Sequence, residues 1–167
     1  LPNEELKNSF IASQKFSLEK KRKKAYEIVA GFATTTAASA GFNPLPLSDS
    51  LLIVPQQIAM IIKITNIFGF NSSSKLILGI VETQIISFVG KQLATSLLKL
   101  IPGFGQAINA GVAGAITGGI GAAIIEIYTK ILQEFYKTGK MPEFSNYFSN
   151  DVFYEYLKKE VEQWKKK

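Results

Sequence analysis

Between Lys99 and Glu126 the chain carries no charged residue, so residues 100 to 125 call for burial in protein or in lipid. As a helix that stretch spans about 39 Å, more than the ~30 Å of a bilayer core, so length alone permits a membrane crossing. The interior of the stretch argues against one. Pro102, Gly103 and Gly105 stand near its start, Gln106, Asn109 and Thr117 interrupt it, and the Gly111–Ile125 portion is rich in Gly and Ala, which gain little on transfer to lipid. Gly114 and Gly118 form a GxxxG spacing with Gly111 and Gly121 close to the same surface, the pattern of a helix-packing face. The expectation is a soluble core helix whose glycines admit a bulky neighbour such as the Leu51–Phe68 segment. Lipid contact is the alternative. Burial is needed elsewhere too, because 47% of the residues are apolar and 19% charged, against about 25% charged in an average domain.

The 167 residues suffice for one domain with a real core. Asn3, Glu4 and Glu5 read as a helix start, giving a short first helix near residues 3–14 that buries Leu6 and Phe10. Ser17 is placed to cap a second helix. Its first turns hold the run Lys20, Lys21, Arg22, Lys23 and Lys24, and its later turns are small, from Gly31 through Ala33 and Ala37, which lets another helix approach closely. Asn43, Pro44, Leu45, Pro46 and Leu47 read as a loop, since two prolines remove amide donors and disfavour helix in the residues before them.

A mostly buried helix follows, starting at Ser48 or Asp49 and running to Phe68, with Gln56, Gln57, Lys63 and Asn66 on its polar arc. Pro55 should kink it or mark its true start. Gly69 reads as a stop. The apolar stretch Lys75–Ile101 is expected to bend near Gly90, because Glu82 and Lys91 would otherwise lie on opposite sides. The Gly/Ala segment becomes ordinary helix by Ile124–Lys137, and Thr138–Pro142 is a break. A last amphipathic helix begins around Asn150, with Phe153, Tyr156, Leu157, Val161 and Trp164 on one face. No segment shows sustained strand alternation. The fold expected is all-α: a bundle of about six or seven helices with a central apolar helix and a Gly/Ala-rich core helix.

With no Cys and no His, disulfides, thiolate zinc sites, Cys nucleophiles and imidazole acid/base chemistry are excluded. A phosphate loop is absent as well: Gly90 and Lys91 are followed by Gln92, and position 85 is Ile. Gly103 and Gly105 lack the third glycine of a dinucleotide fingerprint and follow no strand. Asp49 is a helix cap in preference to a recognition acid. One of Glu82 and Glu126 is expected to pair with a core-edge Lys; partner-facing or proton-sensitive carboxylates are the alternative. The run Lys20–Lys24 has three readings: a solvated face, a site for anionic lipid, and a nucleic-acid contact.

The segments LPNEELKNSFIASQKFSLEKKRKKA, PLPLSDSLLIVPQQIAMI and KLIPGFGQAINA, in that order, resemble the C-terminal helical domain of unknown function of bacterial-type Era-like GTPases, the YcjF-like family. The resemblance covers Leu1 to about Pro142. It implies a helical domain at 1–142; the tail at 143–167 lies outside it and is expected, from its spacing, as an amphipathic helix packed on the same domain. It also implies a GTPase domain of the same polypeptide ahead of Leu1, which alone would hold GTP and Mg; no cofactor is expected in this chain. The function implied is a non-catalytic output or membrane-associating module, cytoplasmic and peripheral or integral at the inner face of a membrane. Partners would be the GTPase domain and an anionic membrane, with no nucleic acid expected. The interaction residues expected are Lys20 to Lys24, Pro44, Pro46, Asp49 and Gln56. Those for helix packing or membrane are Pro102, Gly103, Gly105, Gly111, Gly114 and Gly118. A membrane-inserting or pore-forming module, acting through a Gly-rich hairpin, is the alternative.

Overall fold

The structure, a computed structural model, describes residues 2–42, 45–46, 54–70, 107–108, 110–148, 155 and 158–159. It is all-α. Helix α1 spans Pro2–Phe42, α2 Val54–Phe68, α3 Ala110–Thr138 and the short α4 Phe144–Tyr147. A two-residue antiparallel bridge pairs Leu45 with Ile108 and Pro46 with Ala107, tying the segment after α1 to the segment before α3.

The expected division of the first segment at Ser17 is not there: α1 is one helix of 41 residues, about 60 Å long. Ser17 lies exposed in mid-helix and Asn3 lies inside the first turn. A capping residue helps a helix begin but cannot end the one before it. No Gly or Pro stands between Asn3 and Ala30 to do so, and Gln, Lys, Leu and Glu around Ser17 are good helix formers. The Thr-rich turns near residue 35 survive in helix because each hydroxyl donates back to the carbonyl four residues earlier: Thr34 to Ala30 at 2.9 Å, Thr35 to Gly31 at 3.0 Å, Thr36 to Phe32 at 2.8 Å.

Helix α2 places Pro55 at its second position, where the missing N–H would have had no partner in the helix anyway, so the proline marks a start and not a kink. Gly69 ends it in the left-handed conformation, φ 83°. The Gly69 amide donates to the Asn66 carbonyl at 3.1 Å and the Phe70 amide to the Thr65 carbonyl at 3.1 Å, a Schellman closure that turns Phe70 into the core. Gly139, φ 72°, closes α3 by donating to the Phe135 carbonyl at 2.8 Å.

The core forms where α1, α2 and α3 meet, and α1 makes its most extensive contact with α3. Gly114 and Gly121 of α3 admit α1 and not chiefly α2, and the neighbour at Gly114 is small. A Cβ on Gly114 would lie 3.3 Å from the Ala37 methyl and 3.4 Å from the Ala33 carbonyl oxygen. At Gly121 a Cβ would collide with Val29 at 2.4 Å, with the Met60 sulfur of α2 at 3.1 Å. Small residues on both helices therefore set the α1–α3 distance. At the other end of α2 the aromatic side chains gather. Tyr128 packs edge-on to Phe70 at 4.9 Å and to Phe148 at 5.9 Å, and Phe70 meets Phe144 at 4.9 Å. The Tyr128 hydroxyl shares a hydrogen bond of 2.8 Å with Thr65, and burial pushes its pKa up to about 12.

Gln57 departs from the expected polar arc: it is fully buried, and neither amide atom has a hydrogen-bond partner among the described residues. The Thr117 hydroxyl is buried and unpartnered in the same way. Leu6 and Phe10 depart in the opposite sense, being 68% and 64% exposed where burial was expected, because α1 turns its core face toward Leu18, Ala25 and Val29 instead. The Lys75–Ile101 bend, Glu82, and the apolar face of the last helix lie outside the described residues.

Two consequences are measurable by urea unfolding. Gly121→Ala should destabilise, because overpacking costs about 1–3 kcal/mol and exceeds the ~1 kcal/mol gained in helix propensity. Gly31→Ala, with nothing within 4 Å of the added methyl, should stabilise by about 0.5–1 kcal/mol. Stabilisation by both would contradict the close approach at Gly121. Gln57→Met should raise stability by about 1–2 kcal/mol by removing the unpartnered amide; a loss of that size would mean that the amide is paired.

Candidate functional site

The basic run of the sequence is divided by the turn of its helix. At about 100° per residue, Lys21 and Arg22 flank the arc of Leu18, Ala25 and Val29, whereas Lys20, Lys23 and Lys24 point away from it. The inward pair is engaged. Lys21 Nζ donates to the Phe68 carbonyl at 3.1 Å, placing a cation at the negative C-terminal end of α2. Arg22 Nη2 donates to Glu126 Oε1 at 2.7 Å and Nη1 to Thr129 Oγ1 at 2.9 Å, which ties α1 to α3. The Tyr26 hydroxyl donates to the same Glu126 oxygen at 3.0 Å.

The Arg22–Glu126 pair is about one quarter exposed, 23% and 25% at the two side chains. Burial pushes the Glu126 carboxyl up, but the hydrogen bond and charge of Arg22, with help from Tyr26 and Lys159, outweigh it and hold the carboxyl below its ordinary range. The Arg22 guanidinium is raised in turn, chiefly by its bond to Glu126. Glu126 is thus a paired carboxylate, its partner an arginine and not a lysine. Its job is to fasten two helices.

The outward residues are left over. Lys20 rests its ammonium over the Phe16 ring at 4.5 Å, and Lys23 and Lys24 are exposed. Leu6, Phe10 and Phe16, 63–68% exposed, lie on the same outward face as Lys20 and Lys24. Exposed large apolar side chains beside a cationic run are the informative observation on this surface. On the opposite side, Gln14, Leu18, Gln133 and Tyr136 line an open groove of about 610 Å³ between α1 and α3, rimmed by Lys15 and Lys137. Among the described residues no three acidic side chains converge as a metal site would require.

The other expected site residues fall into place as structure or lie beyond description. Gln56 Oε1 accepts from the Thr36 hydroxyl at 3.0 Å, an internal bond between α2 and α1. Pro46 belongs to the two-residue bridge. Gly111, Gly114 and Gly118 are in α3, Gly114 against α1 and Gly118 half-buried. Pro44, Asp49, Pro102, Gly103 and Gly105 lie outside the described residues. The sequence reading missed the split of the basic run and the exposed apolar face; a helical wheel over residues 6–24 carries the signal for both.

The pair titrates with a definite sign. Because the folded-state carboxyl is depressed, Glu126 contributes stability above the ordinary glutamate value of 4.5 that is lost as pH falls through the folded value. Glu126→Gln should cost about 1–3 kcal/mol at neutral pH, less than a fully buried pair, and the gap to the native chain should close in acid. The double variant Arg22→Met with Glu126→Leu should lose less than either single one, since no charge is left unpaired. Urea midpoints across pH measure both, and a gap independent of pH would contradict the pairing.

A family model described as a domain of unknown function (DUF697) matches residues 7–150. No curated protein and no solved structure matches the chain.

Proposed function

Starting from the fact that the chain belongs to the family described as a domain of unknown function (DUF697), we propose that it is a non-catalytic helical interaction module that couples a nucleotide switch in the same polypeptide to a partner or membrane surface. GTP and Mg would bind the switch domain and not this chain. The module would sit on the cytoplasmic side, peripheral at the inner face of a membrane.

The observation that carries this reading is the division of α1. Its inward cations hold it to the end of α2 and to α3, while its outward side leaves Leu6, Phe10 and Phe16 beside Lys20, Lys23 and Lys24, none of which bonds to another helix among the described residues. One rigid helix therefore joins an unused apolar and basic surface to the core contacts. A ligand or domain that pulls on that surface loads the Arg22–Glu126 bond directly. Allosteric coupling of this kind needs a differential contact in two states, and α1 supplies an element on which both could act.

A second reading, insertion into lipid through the Gly-rich helix, draws on α3: the segment Ala113–Thr138 is long and apolar enough to cross a membrane. Yet 83% of its most apolar window is buried inside the protein, and α1 covers Gly114 and Gly121. Insertion would require α1 to leave.

The coupling reading predicts a nucleotide effect. In the longer polypeptide, amide hydrogen exchange across the N-terminal half of α1 should slow several-fold between the GDP state and a non-hydrolysable GTP state. Identical exchange in the two states would contradict it, as would a reading frame ahead of Leu1 that encodes no G-x-x-x-x-G-K-[ST].

A further inference from the structure

We infer that the outward face of α1 docks on an anionic lipid bilayer, with Leu6, Phe10 and Phe16 entering the headgroup boundary and Lys20, Lys23 and Lys24 meeting lipid phosphates and carboxylates. This rests on the interaction-module reading above and names its partner. The stripe from Leu6 to Lys24 is about 27 Å long, so the helix would lie in the plane of the interface and not cross it.

Three observations favour lipid over a protein groove. The first is spacing. A helix seated in a protein groove presents anchors at i, i+4 and i+7, whereas here Leu6 and Phe10 are followed by Ser13 and Gln14, and the next large apolar side chain on the arc is Phe16. Isolated side chains separated by Ser9, Ser13 and Ser17 suit a fluid that closes around each of them. The second is charge. Between Leu6 and Lys24 the one acid is Glu19, and Glu27 stands one turn beyond Lys23 and Lys24 on the outward side, so the three outward lysines outnumber the acids beside them and the face keeps a net positive charge. The third is the Lys20 ammonium over the Phe16 ring at 4.5 Å, which sets a cation at the depth of an aromatic ring, as an apolar–water boundary with anionic headgroups requires. All three apolar side chains are more than half exposed in the folded chain, so docking needs no unfolding.

The test is flotation of the purified chain with phosphatidylcholine vesicles, with and without about one third phosphatidylserine. Flotation is expected only with the anionic vesicles, and it should weaken as salt is raised. Lys20→Gln with Lys24→Gln should reduce binding about 25-fold, from about five-fold per lysine. Phe10→Ser with Phe16→Ser should abolish flotation. Unchanged thermal unfolding of both variants, expected for exposed positions, certifies that they fold. No flotation at low salt overturns the inference, as does flotation that neither variant alters or equal binding to neutral vesicles.

The nucleotide experiment separates the two claims. Absent flotation with a nucleotide effect on α1 leaves the coupling reading standing, with a protein as the occupant. Flotation without a nucleotide effect supports the lipid surface and contradicts the coupling.

Discussion

The close approach of α1 to the glycine face of α3 is the constraint from which the rest of the structure follows. Ala33 and Ala37 meet Gly114, and Val29 fills the space that a side chain at Gly121 would need. Where Ala33 and Ala37 face Gly114, little room is left between the two backbones, which limits the distance and rotation of α1 relative to α3. That is how the described part of the uncharged segment, from Ala113 to Ile125, is packed within the protein. It is covered by a helix of its own chain, and α2 closes the remaining side with Met60, Ile61 and Ile64.

Fixing the rotation of α1 also decides the fate of its charges. Lys21 and Arg22 are brought against α2 and α3, where a carbonyl and a carboxylate receive them. Lys20, Lys23 and Lys24 are turned outward in the same step, together with the apolar side chains one to four turns earlier. A five-residue basic run thus does two things, holding helices together on one side and presenting charge on the other. The N-terminal half of α1 is long because nothing in its sequence stops it, and its exposed face is a by-product of where the core face points.

Much of the fold was legible from local chemistry. Gly69 and Gly139 announced the two helix ends because only glycine adopts their backbone at no steric cost, whereas Pro55 left open a kink in α2 or its start. The all-α class followed from helical periodicity. What stayed hidden depends on contacts between residues about a hundred positions apart. Nothing local says that Glu126 finds Arg22, that Gly114 receives Ala33 and Ala37 of α1, or that Gln57 is enclosed whereas Gln56 finds Thr36. Ser17 misled because capping preference was read as a boundary. Leu6 and Phe10 misled because apolar side chains were assumed to be inside, a rule that runs in one direction only. The basic run was recognised, but its division needed the rotation of α1, which the core sets.

The central claim is that α1, and not lipid, covers the glycine face of α3. The chain has no cysteine, so Ala37→Cys with Gly114→Cys introduces one unambiguous pair. The Cβ of residue 37 and an ideal Cβ at 114 lie 3.3 Å apart, a few tenths of an ångström inside the usual disulfide separation of about 3.5–4.5 Å. Mild oxidation should give a rapid intramolecular crosslink, in aqueous buffer and equally with anionic vesicles present. Free thiols that resist crosslinking in buffer, or a crosslink that vesicles suppress, would show the glycine face uncovered and contradict the account.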